Sequence, residues 1–277
     1  MKTSYWLLFV LTLATVSCEK EQFVLISTES ANSRFDQSLE WNRYHSEQVI
    51  SLAKDEYSIL SIADCHVGTT KNLNTFFNND KITNAAAVVM DGDLTNGHVK
   101  NYIEFENCLP NRDLLRLFLI AGNHDIYFNG WKEYFARFGS STYIFTLKTP
   151  QATDLFICLD TSGGTLGDEQ LTWLKETLIE RRASCRHCFV ITHNNFFRGR
   201  HSTSTNPFVE ELHVLIELFT KYRVDMVITG HDHQRADELF GVTRYIQLDA
   251  LQDATDNASY FKLNVKGEEI TYSFEKI

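Results

Sequence analysis

Leu117-Phe118-Leu119-Ile120-Ala121 runs directly into Gly122-Asn123-His124-Asp125. An uninterrupted apolar run of this length reads as a strand buried on both faces, the habit of parallel sheets covered by helices. The four turn-prone residues after it put polar chemistry at the strand's carboxyl end, where open α/β sheets build their sites. The same pattern recurs four times along the chain. Ser58-Ile59-Leu60-Ser61-Ile62-Ala63 leads into Asp64-Cys65-His66, and Ala86-Ala87-Val88-Val89-Met90-Asp91 into Gly92-Asp93. Phe189-Val190-Ile191-Thr192 leads into His193-Asn194, and Met226-Val227-Ile228-Thr229 into Gly230-His231-Asp232-His233. Five strand ends can therefore deliver Asp, Asn and His side chains to one point. That donor set suits a pair of hard or borderline divalent cations.

Helices are predicted over residues 35–53, 72–84, 102–109, 168–182 and 209–222, the third stopped by Pro110. Further strands are predicted over residues 23–27, 143–147, 154–160, 243–248, 260–265 and 269–274, the last two joined by a hairpin at Lys266-Gly267. Strands separated by helices pair in parallel through right-handed crossovers, and the strand-only segments require a second sheet. The expected fold is α/β, a two-sheet β-sandwich core flanked by helices in four layers, α-β-β-α. It forms one domain over residues 23–277.

The formal charge of −10 disfavours a grip on long nucleic acid, which Lys and Arg provide. A small phosphorylated substrate stays compatible, because bound cations reverse the local sign. Met1-Lys2 followed by the uncharged, apolar residues 3–17 reads as a secretory signal, too short to span a bilayer. Ala14-Thr15-Val16-Ser17-Cys18 resembles the lipobox of bacterial lipoproteins, with Thr15 where Leu is usual. On that reading Cys18 carries the lipid, residues 18–22 form a tether, and the protein is exported and membrane-anchored. The alternative is plain cleavage near Ser17. Cys185-Arg186-His187-Cys188 has no second Cys pair for a zinc knuckle and reads as two thiols or a local disulfide. Cys65 is expected to alternate away from Asp64 and His66 if that stretch is extended.

Taken together and in this order, Asp64-x-His66, Gly92-Asp93, Gly122-Asn123-His124-Asp125, His193 and Gly230-His231-x-His233 resemble the calcineurin-like metallophosphoesterase family. Glu169-Gln170-Leu171-x-Trp173-Leu174 is similar to its cyclic-nucleotide phosphodiesterase-like branch. The resemblance implies a dinuclear site. Asp64, His66 and His233 would hold one metal, Asn123, His193 and His231 the other, and Asp93 would bridge them. The cations would be Mn, Fe or Zn. His124 would stand beside the substrate and stabilise or protonate the leaving oxygen, with Asp125 orienting its imidazole. Two cations about 3.5–4 Å apart neutralise a phosphate ester and bring a bridging water towards deprotonation at neutral pH.

The expected activity is hydrolysis of a phosphomonoester or phosphodiester. Within that class a phospholipid or pyrophosphate is an alternative substrate. In a different class stands a non-catalytic interaction protein on the same scaffold. Arg198 and Arg200, in the segment after His193, are candidates to bind substrate phosphate.

Overall fold

The structure, a computed structural model, describes residues 29–112, 114–197 and 208–277. The predicted strand at 23–27, the signal and lipidation segment with Cys18, and Arg198 and Arg200 lie outside these residues.

Helix α1 (Ala31–Tyr44) starts at Ser30, whose hydroxyl accepts the Ser33 N–H. The predicted continuation to residue 53 does not form. The helix ends at Tyr44, and β1 (Gln48–Ser51) follows as an edge strand, because adjacent Val49 and Ile50 favour extended backbone. Next come β2 (Glu56–Ile62), α2 (Lys71–Phe77), β3 (Ala87–Asp91), α3 (Val99–Cys108), β4 (Leu117–Ile120) and α4 (Gly130–Phe138). Strands β5 (Tyr143–Lys148) and β6 (Thr153–Cys158) form a hairpin, followed by α5 (Gly167–Arg181), β7 (Cys188–Ile191), α6 (Val209–Lys221) and β8 (Met226–Thr229). The chain closes with β9 (Ala236–Phe240), β10 (Thr243–Gln247), β11 (Ser259–Lys266) and β12 (Glu269–Lys276).

Two sheets result. One has the order β12-β11-β2-β3-β4, the other β1-β5-β6-β7-β8-β10-β9. Strands β2, β3 and β4 are mutually parallel, as are β6, β7, β8 and β10. Alternate residues of each strand face opposite layers. Ile59 and Val89 join Phe145, Phe156, Phe189 and Ile228 in the core between the sheets. Leu60, Ile62 and Met90 turn outward beneath α2, α3 and α4. Ile157, Val190 and Val227 do the same beneath α5 and α6. The architecture is the expected helix–sheet–sheet–helix stack, and it sets the carboxyl ends of β2, β3, β4, β7 and β8 together.

A ladder of four rings crosses the inner core. Phe118 stacks on Phe145 at 3.7 Å, Phe145 on Phe156 at 4.7 Å, and Phe156 on Phe189 at 4.7 Å. Phe156→Ala opens a cavity in the middle of this ladder and is expected to cost about 3–5 kcal/mol in denaturant unfolding. A cost under about 1 kcal/mol would mean that the two sheets do not pack as described.

The sequence reading did not include α4 or β9. The five cysteines among the described residues are free thiols, so Cys185 and Cys188 form no disulfide. Among the described residues no helix is long and apolar enough to cross a membrane.

Candidate metal centre

The motif residues leave their strands through tight turns. Asp64 (φ 54°), His66 (φ 43°), Asp93 (φ 50°), His231 (φ 78°) and His233 (φ 60°) all adopt left-handed backbone. Each such non-glycine residue costs on the order of 1–3 kcal/mol and persists only where its surroundings fix it. Here backbone bonds do so: the Asp64 N–H donates to the Gly92 carbonyl at 3.0 Å and the His66 N–H to the Asp93 carbonyl at 2.9 Å. The Asp64–His66 stretch is therefore a turn, which corrects the extended reading, although Cys65 still packs into the core on the α2 side. Two glycines are required by close approach. A methyl group on Gly122 would lie 2.2 Å from the Asp93 amide nitrogen and Oδ1, and one on Gly92 (φ 86°) would lie 2.6 Å from His193 Nδ1.

These turns bring the side chains into two groups that could each hold a metal ion, Asp64, His66, Asp93 and His233, and Asp93, His193 and His231, with donor atoms in each group within 4.8 Å of one another. In the first, His66 Nε2 lies 3.0 Å from His233 Nε2 and 3.6 Å from Asp93 Oδ2, while His233 Nε2 lies 3.3 Å from Asp64 Oδ1. In the second, His193 Nε2 lies 3.3 Å from both Asp93 Oδ2 and His231 Nδ1. Asp93 belongs to both groups through one oxygen. Its Oδ1 accepts the His124 N–H at 2.8 Å, so both groups converge on Oδ2.

The surrounding contacts aim each donor inward. The Asp91 carbonyl accepts from His193 Nδ1 at 2.7 Å, which turns Nε2 toward Asp93 and His231. The Asn96 amide donates to the His66 carbonyl, and its oxygen faces His66 Nδ1 at 3.3 Å. Asp64 Oδ2 accepts the His231 N–H, leaving Oδ1 buried without a hydrogen-bond partner. Asn123 donates from Nδ2 to the Tyr127 hydroxyl, and its Oδ1 is likewise buried and unpartnered. Two orphaned oxygens in a nest of imidazole nitrogens are polar groups that a cation would satisfy. The donor set fits two divalent ions. The supporting roles of Asn96, Tyr127 and the Asp91 carbonyl were missed by the motif reading. Asn96, in the polar turn after Gly92-Asp93, is the one the sequence could have flagged.

The electrostatics are those of a tightly packed ionic cluster. Burial alone would push the His193 imidazole down, but the adjacent Asp93 carboxylate holds it up at about 10. Burial acts upward on Asp93 and Asp64, yet the surrounding imidazoles hold both below the usual carboxylate range. The Asp64 carboxylate, 3.3 Å away, raises His233 despite burial.

His124 lies against this cluster, its ring centroid 4.5 Å from that of His66. Burial lowers its pKa below 6.5, outweighing the pull of Asp93. Asp125 does not orient it. The Asp125 carboxylate accepts from Leu94 N–H, Thr95 N–H, the Thr95 hydroxyl and Gly122 N–H at 2.8–3.1 Å. The expected imidazole contact loses to this set because Asp125 points away from the cleft, into the two turns it ties together. Burial, then the Asp93 charge, push Asp125 up to about 7. Gln170 is buried and bonds to Asp160 and Thr142, so it secures the start of α5.

A cleft of about 330 Å³ opens over the cluster, lined by His66, Gly68, Thr69, Asn96, His124, His233, Gln252 and Asp253. The chain is 26% identical over 193 residues to a protein described as a probable cyclic nucleotide phosphodiesterase from Ruthia magnifica subsp. Calyptogena magnifica, covering 65% of this chain and 80% of that one. The fold is similar to a dimetal phosphatase from Danio rerio, with a TM-score of 0.63, 11% identity, and coverage of 79% of this chain and 96% of the other. It is equally similar to GAP50, the anchor in the inner membrane complex of Plasmodium, with a TM-score of 0.63, 12% identity, and coverage of 79% and 84%. Residues 57–235 match the calcineurin-like phosphoesterase family and contain all five strand-end motifs. The chain belongs to the calcineurin-like phosphoesterase family and is a hydrolase of phosphoric esters.

Proposed function

We propose that this protein hydrolyses small phosphate esters at a centre of two divalent cations held by Asp64, His66 and His233, and by Asn123, His193 and His231, with Asp93 shared. The observation that carries this reading is the meeting of two donor groups at one Asp93 oxygen, with His124 beside them. When bound, such cations neutralise the phosphate oxygens and supply an activated water. The protein's own groups do the rest. Asp93 and Asp64, held ionised, keep the neighbouring imidazoles in place. Asn123 contributes a neutral oxygen, which leaves the centre electrophilic. His124, whose charged form burial disfavours, offers one N–H as a hydrogen bond to the leaving oxygen and stabilises the charge that develops there, the departing oxygen taking its proton from water. The cleft volume suits a small substrate, and the acidic chain disfavours a polymeric one. The similarity to a probable cyclic nucleotide phosphodiesterase supports a phosphodiester among the substrates. An exported, lipid-anchored location is supported by the apolar residues 3–17 and Cys18.

His124→Ala tests the leaving-group role. Hydrolysis of an alkyl phosphate ester is expected to fall by about 10²–10⁴. Hydrolysis of a nitrophenyl ester, whose leaving group bears its charge without help, should fall far less. Equal losses on both esters would remove His124 from that role.

A further inference from the structure

Phe128 has φ 55° and ψ 34°, and the next residue, Asn129, has φ 62°. A bulky aromatic residue in the left-handed region is rare and strained. The strain is not offset by burial, because the Phe128 side chain is 52% exposed. Its ring instead stacks on His98, itself exposed, with centroids 4.2 Å apart and planes 15° apart.

This pair is joined to the metal centre by a line of rings. His66 meets His124 at 4.5 Å, His124 meets Tyr127 at 4.7 Å, and Tyr127 meets Phe128 at 6.4 Å. The two turns that carry the line are pressed together: a methyl group on Gly97 would lie 2.5 Å from the Tyr127 carbonyl oxygen and 2.8 Å from that of His124. Asn96, two residues before His98, lines the cleft. The stack thus lies two ring contacts out from His124, beyond the residues that line the cleft itself.

We infer that the Phe128–His98 stack is the platform for the leaving group, and that the preferred substrate carries a planar ring, a nucleobase or an aryl group, on its leaving alcohol. The inference rests on the proposed role of His124, since the group beyond His124 is then the one that departs. A ring laid on an exposed aromatic face is held without base-specific hydrogen bonds. Strain kept at an exposed ring, where burial does not offset it, points to a role for that ring.

The test uses the full chain with manganese and two esters of primary alcohols, a nucleoside 5′-phosphate and glycerol phosphate, each as monoester and methyl diester. Phe128→Gly is expected to raise KM for the nucleoside ester about tenfold and to leave glycerol phosphate unchanged. Phe128→Trp should keep the low KM for the nucleoside ester. Glycine relieves the left-handed strain, so the thermal midpoint of Phe128→Gly should not fall. Equal effects on both substrates, no effect on either, or a lowered midpoint that accounts for the loss would overturn the inference while leaving the phosphoesterase reading intact. If the unaltered protein hydrolyses neither ester, the phosphoesterase reading fails and the platform fails with it.

Discussion

Asp93→Asn is expected to reduce phosphoester hydrolysis by more than about a hundredfold while leaving the protein folded. Residues that merely support a ligand typically cost about 10–100-fold when changed, and Asp93 is shared by both donor groups. The asparagine oxygen can still accept the His124 N–H that Asp93 Oδ1 accepts now, so the turn has its anchor. The amide nitrogen then replaces Oδ2, the atom that lies 3.6 Å from His66 Nε2 and 3.3 Å from His193 Nε2. A carboxylate is lost from the centre, and with it the charge that holds His193 up at about 10. Steady-state rates with manganese, beside a thermal melt, check both halves. A loss smaller than about tenfold, with the fold intact, contradicts the shared position of Asp93.

The second large effect is expected at Asp125, and it is one of stability. Asp125→Ala strips a fully buried acceptor from two backbone N–H groups of the Leu94–Thr95 turn, from the Thr95 hydroxyl and from the Gly122 N–H. Orphaned buried donors cost roughly 1–3 kcal/mol each, partly relieved by relaxation, so a net loss of about 3–5 kcal/mol is expected in denaturant unfolding. The same bonds hold the turns that carry Asp93 and Asn123. Activity therefore falls together with stability, and at low temperature the surviving folded fraction keeps its nitrophenyl esterase rate per molecule. If Asp125 instead oriented His124, the variant would melt near the wild-type temperature and lose alkyl-ester hydrolysis selectively.

Much of this architecture is written in local patterns. The strands that deliver donors are short and largely apolar, because both of their faces are covered. The donors follow immediately, so Asp64, His66, Asp93, Asn123, His193, His231 and His233 could be picked out by position. Less legible was whatever depends on direction. Asp125 is adjacent to His124 in sequence, yet its side chain turns into the loop beneath. Asp93 has two oxygens in every sequence, and only the fold shows that one of them is occupied by the His124 amide. The left-handed backbone at five of the candidate ligands has no sequence signature either, since Asp and His tolerate it only where neighbours enforce it.

Elsewhere, the predicted helix past Tyr44 failed because its polar middle carried little periodic signal, while Val49 and Ile50 found a partner strand in β5 that no local pattern reveals. Helix α4 was legible and overlooked: Trp131, Tyr134, Phe135 and Phe138 recur at helical spacing, and the first two are buried. Strand β9 is largely exposed and exists only as the partner of β10, so it had no hydrophobic pattern to read.

One Asp93 oxygen is proposed to join two cation sites. Titrating the chelator-stripped full chain with manganese, with bound metal counted per chain, tests it most directly. Two ions per chain are expected for the unaltered protein, and one or none for Asp93→Asn. A single ion in the unaltered protein, or two retained by Asp93→Asn with unchanged affinity, would contradict it.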